Sequence, residues 1–162
     1  MMPGTMNADE ALEMAISIEQ KGEAFYRAAA AATQDEDLKR LLRALAQWES
    51  GHRDTFSRMR DKPSMSGAAE SASDLREQAQ KYLWALTEYC PMLSDDDSEA
   101  QLTGSESAKE ILQVARDLEE ATILLYVGVR DLASGPAEKQ QIDQIIHEEM
   151  RHLTMLSEGT RS

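Results

Sequence analysis

Trp48-Glu49-Ser50-Gly51-His52 and Glu148-Glu149-Met150-Arg151-His152 decide how this chain is read. Each places a histidine three residues after a glutamate, a step of about 300° at roughly 100° per helical residue, so both side chains leave one face of a helix. A carboxylate and an imidazole aimed at one point suit a transition metal. A further glutamate precedes each pair by the same distance, Glu19 before Glu49 and Glu119 before Glu149, and the two sets are offset by 100 residues. The same offset relates Ala8 to Ala108, Glu10 to Glu110, Leu12 to Leu112, Ala15 to Ala115 and Tyr26 to Tyr126. A hairpin present twice predicts a pseudo-twofold bundle, since a solenoid needs at least three copies.

Working outward, the apolar residues fall into helical stripes that contain the ionisable ones. The first helix, about 8 to 33, carries Leu12, Ala15, Ile16, Glu19, Gly22 and Tyr26, with Asn7 or Asp9 as its cap. The second, ending near Asp61, carries Leu38, Leu42, Leu45, Glu49, His52, Phe56 and Met59. In the second half, Leu112, Ala115, Glu119, Thr122, Tyr126 and Val129 mark a helix from about 107 to 133. Ile142, Ile145, Glu149, His152 and Leu156 mark one opened by Pro136. Antiparallel helices bring together residues equidistant from their turn. The midpoint of Glu19 and Glu49 is residue 34, and that of Glu119 and Glu149 is Ser134, both at predicted breaks. Each carboxylate then lies roughly 20 Å from its turn, and all four share one level.

Residues 62–106 leave the repeat. Pro63 to Gly67 reads as a loop, 71–90 as a helix with Tyr82, Leu83, Trp84 and Leu86, and Ser94 to Ser98, with three successive aspartates, as a solvated loop. A connection of this length carries the chain along the bundle and leaves the second and third bundle helices parallel. The expected fold is all-α: one domain over 1–162, a four-helix bundle of hairpins 8–61 and 107–158 joined by a crossover, 62–106, that contains an extra helix. Met1 to Met6 and Thr160 to Ser162 are expected to be loosely held.

Composition narrows the partners. A net charge of −13 disfavours nucleic acid and anionic membranes and favours a cation. A single cysteine, Cys90, leaves no internal disulfide and no Cys-x-x-Cys metal pair. No window approaches 18 apolar residues, and the start lacks a basic segment followed by an apolar run, so a cytoplasmic protein is expected.

Four carboxylates facing one another in a core would cost many kcal/mol through desolvation and repulsion. Two divalent cations would cancel that charge. Other polar residues fit the pattern less well. Glu23 has isoleucine at its counterpart, position 123; Glu148 and Glu120 fall off the stripes; and His147 has no repeat mate. Trp48 is expected to pack between helices and Cys90 to serve as a small core residue.

These residues resemble the ferritin-like di-iron carboxylate proteins, whose pattern of one glutamate from each of two helices and Glu-x-x-His from the other two is a known one. Ile18-Glu19-Gln20-Lys21-Gly22-Glu23-Ala24-Phe25-Tyr26 and Leu45-Ala46-Gln47-Trp48-Glu49-Ser50-Gly51-His52 look more narrowly like the ferritin-like domain of rubrerythrin-related proteins. The resemblance implies a metal and catalytic set of Glu19, Glu49, His52, Glu119, Glu149 and His152, with Glu49 and Glu149 bridging two iron ions. Zinc and manganese are substitutes such ligands also accept. It implies a non-haem oxidoreductase that oxidises ferrous iron, or reduces dioxygen or peroxide. Tyr26 and Tyr126, two turns from the lone glutamates, are expected either to hydrogen-bond the ligands or to serve as core aromatics with their hydroxyls satisfied elsewhere. The rival expectation is a non-redox metal-binding or structural helical module. Two departures shape the analogy. Rubrerythrin proper has a cysteine-ligated rubredoxin-like domain, absent here, so turnover needs an external reductase or a rubredoxin-type donor. It also has an extra glutamate where this chain has Thr122, so the peroxidase chemistry tied to that residue is not implied. A homodimer is the expected assembly.

Overall fold

The computed structural model describes residues 6–62, 73–94 and 100–159. Its helices are α1 (Ala8–Ala32), α2 (Glu36–Arg60), α3 (Ser73–Tyr89), α4 (Ala108–Leu132) and α5 (Pro136–Glu158), with a 3-10 turn at Pro91–Leu93. The breaks at 33–35 and 133–135 fall where the midpoint argument places them. The expected loose ends at Met1 to Thr5 and Thr160 to Ser162 and the expected loops at Pro63 to Gly67 and Asp95 to Ser98 lie outside the described residues.

Helix boundaries follow from capping chemistry. Asn7 accepts from the Glu10 backbone N–H while the Glu10 carboxylate accepts from that of Asn7, and Ser107 with Glu110 repeats this box at the start of α4. The recurrence of Glu10 as Glu110 therefore has a structural cause. Asp35 caps α2 by accepting from the N–H groups of Asp37 and Leu38. Pro136 opens α5, where a missing N–H costs nothing.

Helices α1, α2, α4 and α5 form the four-helix bundle, and α3 packs outside it against α4. The stripes of α2, α4 and α5 are buried throughout, and in α1 only Leu12 is half-exposed. Gly128 sets how closely α3 and α4 approach. A Cβ there would lie 2.5 Å from Leu83 Cδ2 and 2.9 Å from Tyr82 Cδ1. Tyr82 adds a hydrogen bond from its hydroxyl to the Leu124 carbonyl. Trp84 points outward from the α3 surface, and Cys90 is a free, half-buried thiol packed against the core.

Direction is legible in two hydrogen bonds. Tyr26 reaches Glu119 while Tyr126 reaches Glu19, a register that only antiparallel α1 and α4 allow. Since α1 and α2 form an antiparallel hairpin, α2 and α4 run parallel, as a long crossover requires. No described helix is long and apolar enough to cross a membrane.

Candidate metal centre

Glu19 from α1, Glu49 and His52 from α2, Glu119 from α4, and Glu149 and His152 from α5 meet at mid-height in the bundle, all buried. Their ligand-type atoms form two overlapping groups: Glu19, Glu49, His52 and Glu149 in one, and Glu49, Glu119, Glu149 and His152 in the other. Within each group the atoms lie no more than 4.8 Å apart. Glu49 and Glu149 belong to both. All of the residues expected from the sequence are therefore in one cage.

Glu149 lies at its centre. Its Oε1 is 2.7 Å from His52 Nδ1, and its Oε2 accepts a hydrogen bond from His152 Nδ1 at 2.8 Å. Glu19 Oε1 is 3.7 Å from His52 Nδ1, and Glu119 Oε1 is 3.8 Å from His152 Nδ1. The imidazole centroids are 5.7 Å apart, with planes inclined by 22°.

The protonation pattern is that of a cage holding protons in place of cations. Burial, aided by the charges of Glu49 and Glu149, pushes the Glu19 carboxyl well above its ordinary range. Burial does the same to Glu119, with Glu149 and Glu49 adding to it. Burial alone would also raise Glu149, but the hydrogen bond from His152 and the close approach of His52 outweigh it and bring Glu149 down to about 2. Burial opposes charge on the histidines, yet their carboxylate partners prevail: His52 is raised, and His152 reaches about 9.

Protons do not satisfy the cage. Among the described residues, the buried side-chain atoms without an aligned hydrogen-bond partner are Glu19 Oε2, Glu49 Oε1, His52 Nδ1 and Glu149 Oε1, every one in the cage. His52 Nδ1 and Glu149 Oε1 are close, but not oriented as donor and acceptor. Lone pairs that converge at short distance without hydrogen-bond alignment are what a shared cation would take up. The donor set and its geometry fit divalent metal.

The surrounding residues add what the stripes alone do not give. Tyr26 and Tyr126 donate crosswise, each hydroxyl to the lone carboxylate of the other hairpin. Gly22 lies against Glu49: a Cβ there would sit 3.3 Å from Glu49 Oε2. Its repeat mate Thr122 is buried and donates to the Leu118 carbonyl. Glu148, off the stripe, contacts the other hairpin: His52 Nε2 donates to its Oε2 at 2.7 Å. Trp48, half-buried, stacks on His152 with centroids 5.0 Å apart and planes within 10°. Glu23 is engaged by Arg27 and Arg53. Glu120 is exposed. His147 is also exposed, its Nδ1 donating to the Asp143 carbonyl.

Four long helices around a buried carboxylate and imidazole cage define the ferritin-like class of bundle. The family model for rubrerythrin matches residues 10–159, and the chain belongs to the rubrerythrin family. Among solved structures it is similar to one from Thermotoga maritima described as a ferritin-like diiron-carboxylate protein. The TM-score is 0.76 at 26% identity, covering 98% of this chain and 97% of that one. A search of curated proteins finds no match.

Proposed function

We propose that this chain is a non-haem diiron protein that oxidises ferrous iron with peroxide or dioxygen as the electron acceptor. The observation that carries the reading is Glu149, one carboxylate whose two oxygens reach the two histidines at 2.7 Å and 2.8 Å. In this reading Glu19 and His52 would hold one ion and Glu119 and His152 the other, with Glu49 and Glu149, which belong to both ligand groups, shared between them. Ferrous ions held there would supply one electron each; peroxide taking two electrons and two protons would leave as two waters, and dioxygen taking the same would leave as peroxide.

The chain's own residues do the rest. Burial excludes bulk water, so the carboxylates act in a medium where charge pairing is strong. The hydroxyls of Tyr26 and Tyr126 hold Glu119 and Glu19 in orientation. Four carboxylates against two divalent ions leave the cage near neutrality. In this reading, electrons for repeated turnover are supplied by an external reductase or a rubredoxin-type donor.

Anaerobic loading with ferrous ion followed by peroxide or oxygen tests the reading. A near-ultraviolet absorption rise that saturates at about two ions per chain is the expected result. Two ions bound with no absorption change would instead favour a non-redox zinc or manganese site.

A further inference from the structure

The repeat relates Glu148 to Trp48, the residues immediately before Glu149 and Glu49. Each leans across to the histidine of the opposite hairpin, and the two make opposite kinds of contact. Glu148 accepts a hydrogen bond from His52 Nε2, with its side chain 48% exposed. Trp48 lays its indole flat on His152, whose side chain is 1% exposed. A groove of about 420 Å³ opens between α2 and α5, bordered by Trp48, Gly51, Thr55, Gln144 and Glu148; it reaches His52, while His152 lies behind Trp48 and does not line it. One half of a nearly symmetric cage therefore faces water through a carboxylate, while an aromatic plane covers the other.

Resting on the diiron reading above, we propose that Glu148 is a positioning residue that makes the two metal positions inequivalent. By accepting from Nε2 it fixes the His52 tautomer that leaves the Nδ1 lone pair directed into the cage, where that atom is buried without an aligned partner. The position served by His52 is the exchangeable one, filled and emptied through the groove. The position served by His152 is sealed by Trp48 and holds its ion longer.

Cobalt(II) alone, followed by its visible absorption and by its release to a chelator, is the probe. The wild-type chain should bind two ions and release them at rates differing by about tenfold or more. Glu148→Ala should weaken one ion by about 10–100-fold, alter that ion's visible band and leave the other in place. Glu148→Gln, which keeps an acceptor for Nε2–H, should recover part of the loss. Trp48→Leu should speed release of the slower ion. Because Glu148 is half-exposed, thermal melting of metal-free Glu148→Ala should match the parent, which separates this effect from misfolding. Two ions bound by Glu148→Ala with parental affinity and spectrum, both ions weakened equally, or identical release rates in the wild type would overturn the inference while leaving the diiron reading standing. A wild-type chain that takes up no cobalt would overturn both.

Discussion

Replacing Gly22 by alanine separates the stability of the bundle from the geometry of its cage. Gly22 is in the interior of α1, and a β-carbon added there would lie 3.3 Å from Glu49 Oε2, 3.4 Å from its Cγ and 3.5 Å from its Cδ. All three are side-chain atoms, so the backbones need not part, but the carboxylate must retreat by a few tenths of an ångström. Alanine is favoured over glycine inside a helix by about 0.8–1.0 kcal/mol. The crowding takes back some of this. Metal-free Gly22→Ala should thus be as stable as the parent or up to about 1 kcal/mol more stable, a melting temperature higher by no more than about 2–4 °C. Metal binding should move the other way. Glu49 belongs to both ligand groups, and displacing a group that orients ligands weakens affinity by about tenfold or more. Urea unfolding of chelator-treated protein, paired with cobalt titration, reads both quantities. A variant that binds cobalt as tightly as the parent would refute the placement of Glu49. One destabilised by several kcal/mol would refute the claim that only a side chain has to yield.

Further expectations follow from neighbouring contacts. Tyr26→Phe and Tyr126→Phe each remove the donor to a buried carboxyl of the other hairpin, and each should cost about 1–3 kcal/mol in urea unfolding without metal. Gly128→Ala drives a methyl to 2.5 Å from Leu83 Cδ2, so despite better helix propensity it should destabilise by about 1–3 kcal/mol and loosen α3 from α4. The pH response should be one-sided. Glu19 and Glu119, raised from 4.5 by burial, give stability that is present at low pH and fades as pH rises above 4.5. His152, lifted from 6.5 to about 9, adds stability that is complete below 6.5 and lost as pH rises through about 9. Glu149, lowered to about 2, opposes this only below 4.5. Because cations displace these protons, the rise in melting temperature on adding metal should grow between pH 5 and 8. Calorimetric scans showing that rise shrinking over the same range would contradict the protonation pattern.

The cage was legible in the sequence because it is written twice. A repeat at a fixed offset, with Glu and His on the same stripe as Leu and Ile, left few arrangements other than one shared level in a bundle. The helix ends were legible through the Asn7 and Ser107 boxes and Pro136. What was not legible belongs to pairs of helices. Tyr26 was expected near the lone carboxylates, but which one it reaches depends on the register of α1 against α4, and it contacts Glu119 rather than Glu19. Glu148 lies off the stripe of α5. It meets His52 at the edge between α2 and α5, and no periodicity along one helix reports how a second helix is rotated beside it. Trp48 on His152 escaped detail for the same reason. The unequal residues at 48 and 148 were the one available signal, a departure from the repeat next to its most regular part.

The most direct measurement is metal content with anomalous scattering from crystals of protein purified without added metals. Two peaks a few ångströms apart, enclosed by Glu19, Glu49, His52, Glu119, Glu149 and His152 and with iron as the dominant element, are the predicted result. A cage free of metal in protein that is folded and stable at neutral pH, or ions found only on the acidic surface, would contradict the account.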